Sequence, residues 1–88
     1  FVANDYMAFG VMDVLRSELG LSVPGDVALI GFDDVPSAAW PAYALTTIRQ
    51  DAQAMVTTTV EALLSEIGVT EMIRPDPLPV TLIRRSTA

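Results

Sequence analysis

Apolar residues first recur along the chain at helical spacing. Ala8, Val11, Met12, Leu15 and Leu19 fall on one stripe, Arg16 and Glu18 fall off it, and Gly20 follows as a left-handed stop. The spacing predicts a helix of about four turns from Tyr6, entered through the capping pair Asn4 and Asp5. Phe1, Val2 and Ala3 before it are β-compatible and read as the last residues of a strand. Beyond the turn signal Pro24, Gly25, Asp26, residues 27–32 form an unbroken apolar run rich in β-formers. Such a run predicts a strand buried on both faces, as in a parallel sheet. It stops at Asp33 and Asp34, which puts two carboxylates at the carboxyl edge of the sheet, where open α/β sheets bind ligands.

Residues 35–45 hold Pro36, Trp40, Pro41 and Tyr43 among alanines, the pattern of an irregular or briefly helical connection. Residues 46–49 are short and β-favouring. Asp51 then caps a second predicted helix with the stripe Ala52, Met55, Val56, Val60, Leu63, Leu64, Ile67, and Gly68 lies just past its end. Its Thr57, Thr58, Thr59 run forms helix poorly, so packing must supply most of its stability. Residues 69–77, with Pro75 and Pro77, read as a loop, and residues 78–84 return to β character. Strands alternating with helices predict an α/β protein.

Composition changes this picture in one respect. The chain has 88 residues, enough for one small domain, yet 51% are hydrophobic. A domain this short leaves roughly 40% of its surface in water, so the excess predicts faces covered by elements outside these residues. With an opening on Phe1 rather than an initiator Met, the chain reads as a piece of something longer. No apolar stretch approaches the ~18 to 20 residues of a bilayer span.

The net charge of −6 and the scatter of five arginines leave no basic footprint for nucleic acid. The doublet Arg84, Arg85 reads as a solvated strand end. Without Cys or His, disulfides, thiolate nucleophiles, Ser/His triads and most zinc sites are excluded, and a cytoplasmic location fits. Asp5, Asp33 and Asp34 offer oxygen ligands but no calcium-loop spacing, so no metal and no cofactor are expected. An enzyme is not expected either. Glycosidase carboxylates stand ~5 to 9 Å apart across the scissile bond, which neighbours on one strand end do not do.

Four motifs then stand in order: residues 2–10, opening Val2, Ala3, Asn4, Asp5; residues 23–34, closing Gly31, Phe32, Asp33, Asp34; residues 45–50, Leu45, Thr46, Thr47, Ile48, Arg49, Gln50; and the closing residues Leu78, Pro79 and 82–87. Together they resemble the C-terminal part of the effector domain of the LacI/GalR family of bacterial transcriptional repressors. Val56 departs from the pattern, since many members carry Gly there. The resemblance implies a partial periplasmic-binding-protein-like type I fold, with parallel-sheet βα units from two lobes. Residues 1–44 and 78–88 would belong to the C-terminal lobe, and residues 45–77 to the crossover and a helix of the N-terminal lobe. It also implies sensing of a small-molecule effector, a sugar or similar metabolite, by lobe closure in a homodimer that meets DNA only through a domain outside this chain. A solute-binding protein of a sugar transporter shares the fold and is the alternative; a signal peptide upstream would mark it, a helix-turn-helix the repressor.

The resemblance makes Asn4 and Asp33 effector ligands. Asn4 offers an acceptor and two donors, suited to a hydroxyl that donates and accepts at once, although capping the first helix is an equally physical role. Asp33 suits two neighbouring hydroxyls through charge-assisted bonds. Asp5 reads as structural and Asp34 as a brace of the following loop. Phe32 is either core or a pocket wall against an apolar sugar face, and Gln50 either bonds a ligand or braces the crossover. Phe9, Asp13 and Trp40 fall near the family's dimer interface, with core packing the other reading of Trp40.

Overall fold

The computed structural model describes residues 1–68 and 77–88. They form two compact units, Phe1–Arg49 with Thr81–Ala88, and Gln50–Val80. The loop expected at residues 69–77 lies outside the described residues except for Pro77.

In the first unit Asn4 starts the helix α1 (Asp5–Asp13), its side chain accepting from the Met7 amide at 2.9 Å. Asp5, Ala8, Phe9 and Met12 face inward, whereas Val11 and Leu19 are 39% and 60% exposed. The buried face is therefore shifted from the expected stripe, because the Phe9 ring stacks on Tyr43 with centroids 4.2 Å apart. After Asp13 the helix widens into a π turn, Val14–Glu18, with the Leu19 amide reaching back five residues to the Val14 carbonyl at 3.0 Å. Gly20, at φ +63°, ends it.

Residues 27–33 run between two neighbours. Val2 N–H donates to the Ile30 carbonyl at 2.9 Å and Asp5 N–H to Phe32 at 3.1 Å on one side. On the other, Gly31 N–H donates to Thr46 and Asp33 N–H to Ile48, both at 2.9 Å, around a parallel bridge of Ile30 and Thr46. The expectation of a strand buried on both faces extends to covering elements outside these residues, and within them one face is covered. Leu29 and Gly31 are buried, while Ala28 is exposed and Ile30 and Phe32 are half-buried. The side chains alternate as on a sheet covered from one side. That side is the core of Ala8, Phe9, Met12, Leu29, Ala38 and Leu45, to which the 3₁₀ turn Pro36–Ala39 contributes Ala38.

The end of the chain closes this unit. Thr87, fully buried, accepts from the Thr46 amide at 2.9 Å and donates to the Leu29 carbonyl at 2.7 Å, joining two segments far apart in sequence. The strands β1 (Thr47–Gln50) and β2 (Val80–Ile83) pair as a two-stranded sheet.

In the second unit Asp51 caps α2 (Ala52–Glu66) by accepting from the Ala54 amide at 3.0 Å, and Gly68 follows at φ +81°. The predicted stripe is largely open: Met55, Val56, Val60, Leu63 and Ile67 are 40–69% exposed. The more covered residues are Ala54, Thr58, Ala62, Leu64 and Ser65. Met55, Leu63 and Leu78 line a shallow apolar groove in this unit. Among the described residues no helix is long and apolar enough to cross a membrane.

Candidate functional site

Three parallel segments of the first unit end at one edge, and the polar residues gather there. Asn4 precedes the amide that bonds Phe32, and Asp33 follows Phe32 with its own amide on Ile48, so the two stand at the same carboxyl edge. Asn4 is half-buried and Asp33 exposed. The Asn4 side-chain oxygen caps α1, and its amide nitrogen, which the cap does not use, is a donor. Both readings of Asn4 are thus compatible in one side chain. Phe32 is half-buried and outside the core cluster. Gln50, half-buried, closes β1 and begins the second unit.

Asp5 lies under this edge, fully buried. One carboxylate oxygen accepts from the Thr47 hydroxyl at 2.6 Å and the other from the Val35 amide at 2.9 Å, so a single side chain ties α1, β1 and the loop after Asp34. A charge so placed requires such partners, and every buried side-chain nitrogen and oxygen among the described residues has one. Gly31 exists where it does for the same reason: a Cβ there would meet an Asp5 carboxylate oxygen and, at 2.9 Å, the Leu45 side chain.

Asp33 and Asp34 hold positive φ angles of 121° and 58°. Such backbone costs on the order of 1–3 kcal/mol per non-glycine residue and persists only where surroundings dictate it. The surroundings are specific. Asp34, with its side chain 9% exposed, receives Arg49 on one oxygen at 2.8 Å and Arg85 on the other at 2.9 Å. Arg85 also donates to the Leu45 carbonyl at 2.9 Å. The reading of Arg85 as part of a solvated strand end is corrected: its side chain is only 19% exposed, because Asp34 and the Leu45 carbonyl draw it in. Reading the sequence alone missed Arg49 and Arg85 as parts of this edge, and nothing local in the chain signals a pairing across 51 residues.

Burial pushes the Asp34 carboxyl up, but hydrogen bonds and charge from Arg85 and Arg49 more than offset it and hold it below the usual carboxylate range. A depressed folded-state value means that Asp34 adds stability above its unfolded value of about 3.9 and loses it as pH falls through the folded value. Below about pH 4, thermal midpoints of the full reading frame are expected to fall, and to fall less steeply in Asp34→Asn. Equal slopes in the two proteins would remove Asp34 from the account.

The residues offered for an interface divide. Asp13 is exposed and Trp40 is 59% exposed at the end of the 3₁₀ turn. Phe9 is 8% exposed and stacked on Tyr43, so its ring serves the chain's own core. Among the described residues no cluster of three or more acidic side chains is placed to hold a metal ion.

The periplasmic-binding-protein-like domain model matches residues 1–88. The chain is 42% identical over 92 residues to the HTH-type transcriptional regulator MalR of Streptomyces coelicolor, covering 98% of this chain and 25% of that protein. A Lac repressor dimer bound to operator and an anti-inducer superposes with a TM-score of 0.81 at 36% identity, covering 98% of this chain and 30% of the other. The chain belongs to the LacI family.

Its fold is a part of the periplasmic-binding-protein-like domain of LacI-family transcriptional regulators, as the motifs around Asn4 and Asp33 imply. The chain spans about a quarter of the length of MalR and of the Escherichia coli lactose operon repressor, and 75% of a Rhizobium radiobacter lactose operon repressor to which it is 33% identical. A periplasmic binding protein/LacI transcriptional regulator from Alkaliphilus metalliredigens, solved in complex with D-xylulofuranose, superposes with a TM-score of 0.79 at 36% identity over 99% of this chain and 33% of the other.

Proposed function

We propose that this LacI-family chain is part of an effector sensor of a cytoplasmic transcriptional regulator, and that the effector is a sugar or similar polyhydroxylated metabolite. The observation that carries the reading is the shared edge of Asn4 and Asp33, set by the hydrogen bonds of Asp5 to Phe32 and of Asp33 to Ile48. An amide and a carboxylate there match hydroxyls that donate and accept, and the half-buried Phe32 ring suits the apolar face of a sugar. Lobe closure around the effector then biases DNA binding through a domain outside this chain. The regulator is favoured over a transporter's solute-binding protein by the relatives, which are named as transcriptional regulators and repressors.

The test is a thermal-shift panel of pentoses, hexoses and disaccharides on the full reading frame, with operator binding measured alongside. A sugar that raises the midpoint and changes operator affinity supports the proposal; a panel without effect on either defeats it.

Trp40 and Asp13 serve a homodimer in this proposal. A large exposed aromatic on a proline-rich turn is the kind of anchor that interfaces use. Trp40→Ala is expected to weaken dimerisation of the full reading frame by about tenfold or more, a loss of at least ~1.4 kcal/mol. Sedimentation equilibrium at micromolar dilution checks this, and an unchanged dimer constant would release Trp40 from that role.

A further inference from the structure

We propose that Asp34 is a positioning residue of the effector site: its carboxylate, gripped by Arg49 and Arg85, holds the left-handed turn that presents Asp33 at the edge of the parallel segments. The proposal rests on the reading of Asp33 as an effector contact and goes beyond it by naming what sets its geometry. Asp33 and Asp34 both carry positive φ, and neither is a glycine, so the turn has to be imposed from outside the two residues. Three restraints do so. The Asp33 amide is tied to the Ile48 carbonyl at 2.9 Å. The Asp34 carboxylate is shared between Arg49, at the end of the first stretch of the unit, and Arg85, just past β2. The Val35 amide is fixed by Asp5 at 2.9 Å.

The arrangement is asymmetric in a useful way. Asp34 is withdrawn, with its side chain 9% exposed, while its neighbour Asp33 is exposed. Withdrawal commits Asp34 to the two guanidinium groups and leaves the adjacent residue on the open side of the turn. The arginines are also unequal. Arg85 is the inner one, 19% exposed and bonded to the Leu45 carbonyl besides Asp34, and Arg49 is the outer one, 57% exposed. Removing Arg85 therefore strips the turn of more support than removing Arg49.

Amide hydrogen exchange of the full reading frame tests this without any ligand. In Asp34→Asn, which accepts the left-handed backbone and removes the charge, the amides of Asp33 and Val35 are expected to exchange about tenfold faster or more, with Leu29 little changed, as local opening separates from global unfolding. Arg85→Ala should reproduce the effect, and Arg85→Lys should restore most of the protection. Arg49→Ala, at a mostly exposed position, gives a milder form that reads out the turn even if Asp34→Asn fails to fold. Unchanged exchange at Asp33 would overturn the proposal. Equal acceleration at Leu29 in the Arg49 variant would do so too, since it would reduce the cluster to general stability. In calorimetric titrations with D-xylulose, D-glucose and maltose, Asp34→Asn should weaken whichever sugar Asp33→Ala weakens. If Asp33→Ala changes no titration while exchange at Asp33 responds to Asp34, the turn's support stands and the effector reading alone fails.

Discussion

Gly31→Ala is expected to destabilise the full reading frame by about 2–6 kcal/mol, from ~1–3 kcal/mol of overpacking and a similar loss where a buried carboxylate is moved off its partners. The added methyl would enter the space of an Asp5 oxygen and stand 2.9 Å from the Leu45 side chain. Neither neighbour yields freely. Asp5 is held by Thr47 and Val35, and Leu45 is fully buried in the core. Gly10→Ala is the matched control, because a Cβ there meets nothing within 4 Å and the residue lies inside α1. That change should stabilise by roughly 0.5–1 kcal/mol. Urea denaturation of both variants measures the contrast; a Gly31→Ala protein as stable as its parent would mean that Asp5 does not occupy the place described.

The second large effect concerns binding. Asp33→Ala should lower effector affinity by about tenfold to a hundredfold or more, since a charged acceptor contributes ~1.5–3 kcal/mol for each hydroxyl it bonds. Operator affinity without effector should stay close to that of the parent. Alanine at φ 121° adds backbone strain to the loss of the carboxylate, so Asp33→Asn separates the two. Asparagine tolerates left-handed backbone and keeps the shape, which leaves the charge as the difference.

Much of the fold was legible where the signal is local. Asp51 announces α2 because a side-chain acceptor three residues before an open amide is a matter of spacing, and Gly20 and Gly68 announce helix ends because glycine enters the left-handed region at little cost. Asn4 was legible for the same reason as Asp51. What lay beyond reach depended on which distant segments become neighbours. Asp5 meets Thr47 across 42 residues and Asp34 meets Arg85 across 51, distances over which no periodicity speaks. Gly31 carried a partial signal, since a glycine interrupting an apolar β run marks close approach by another group. Within these residues the run 27–32 is covered on one face, and unbroken hydrophobicity marks both faces as apolar without naming what lies against the second. The π turn after Asp13 has no comparable mark in Val14, Leu15, Arg16, Ser17 or Glu18.

For the candidate site, the sequence located the residues at the edge, and the structure supplied their supports. Asn4, Phe32 and Asp33 end neighbouring parallel segments, a consequence of hydrogen bonds that the apolar run and the capping pair foreshadow. Asp5 and Asp34, both read as structural from the chain alone, are distinguished by their partners: one binds neutral donors in the interior, the other two arginines near the surface. The first fixes how the segments meet, and the second bears on the turn at their end.

The central claim is that Asp33 contacts a sugar effector, and calorimetric titration tests it most directly. The full reading frame and its Asp33→Asn variant are titrated with the sugar that most stabilises the parent in the thermal-shift panel, after both proteins are shown to melt at similar temperatures. The account predicts a Kd raised by about tenfold or more in the variant at unchanged stoichiometry. Equal Kd values in the two folded proteins would contradict it.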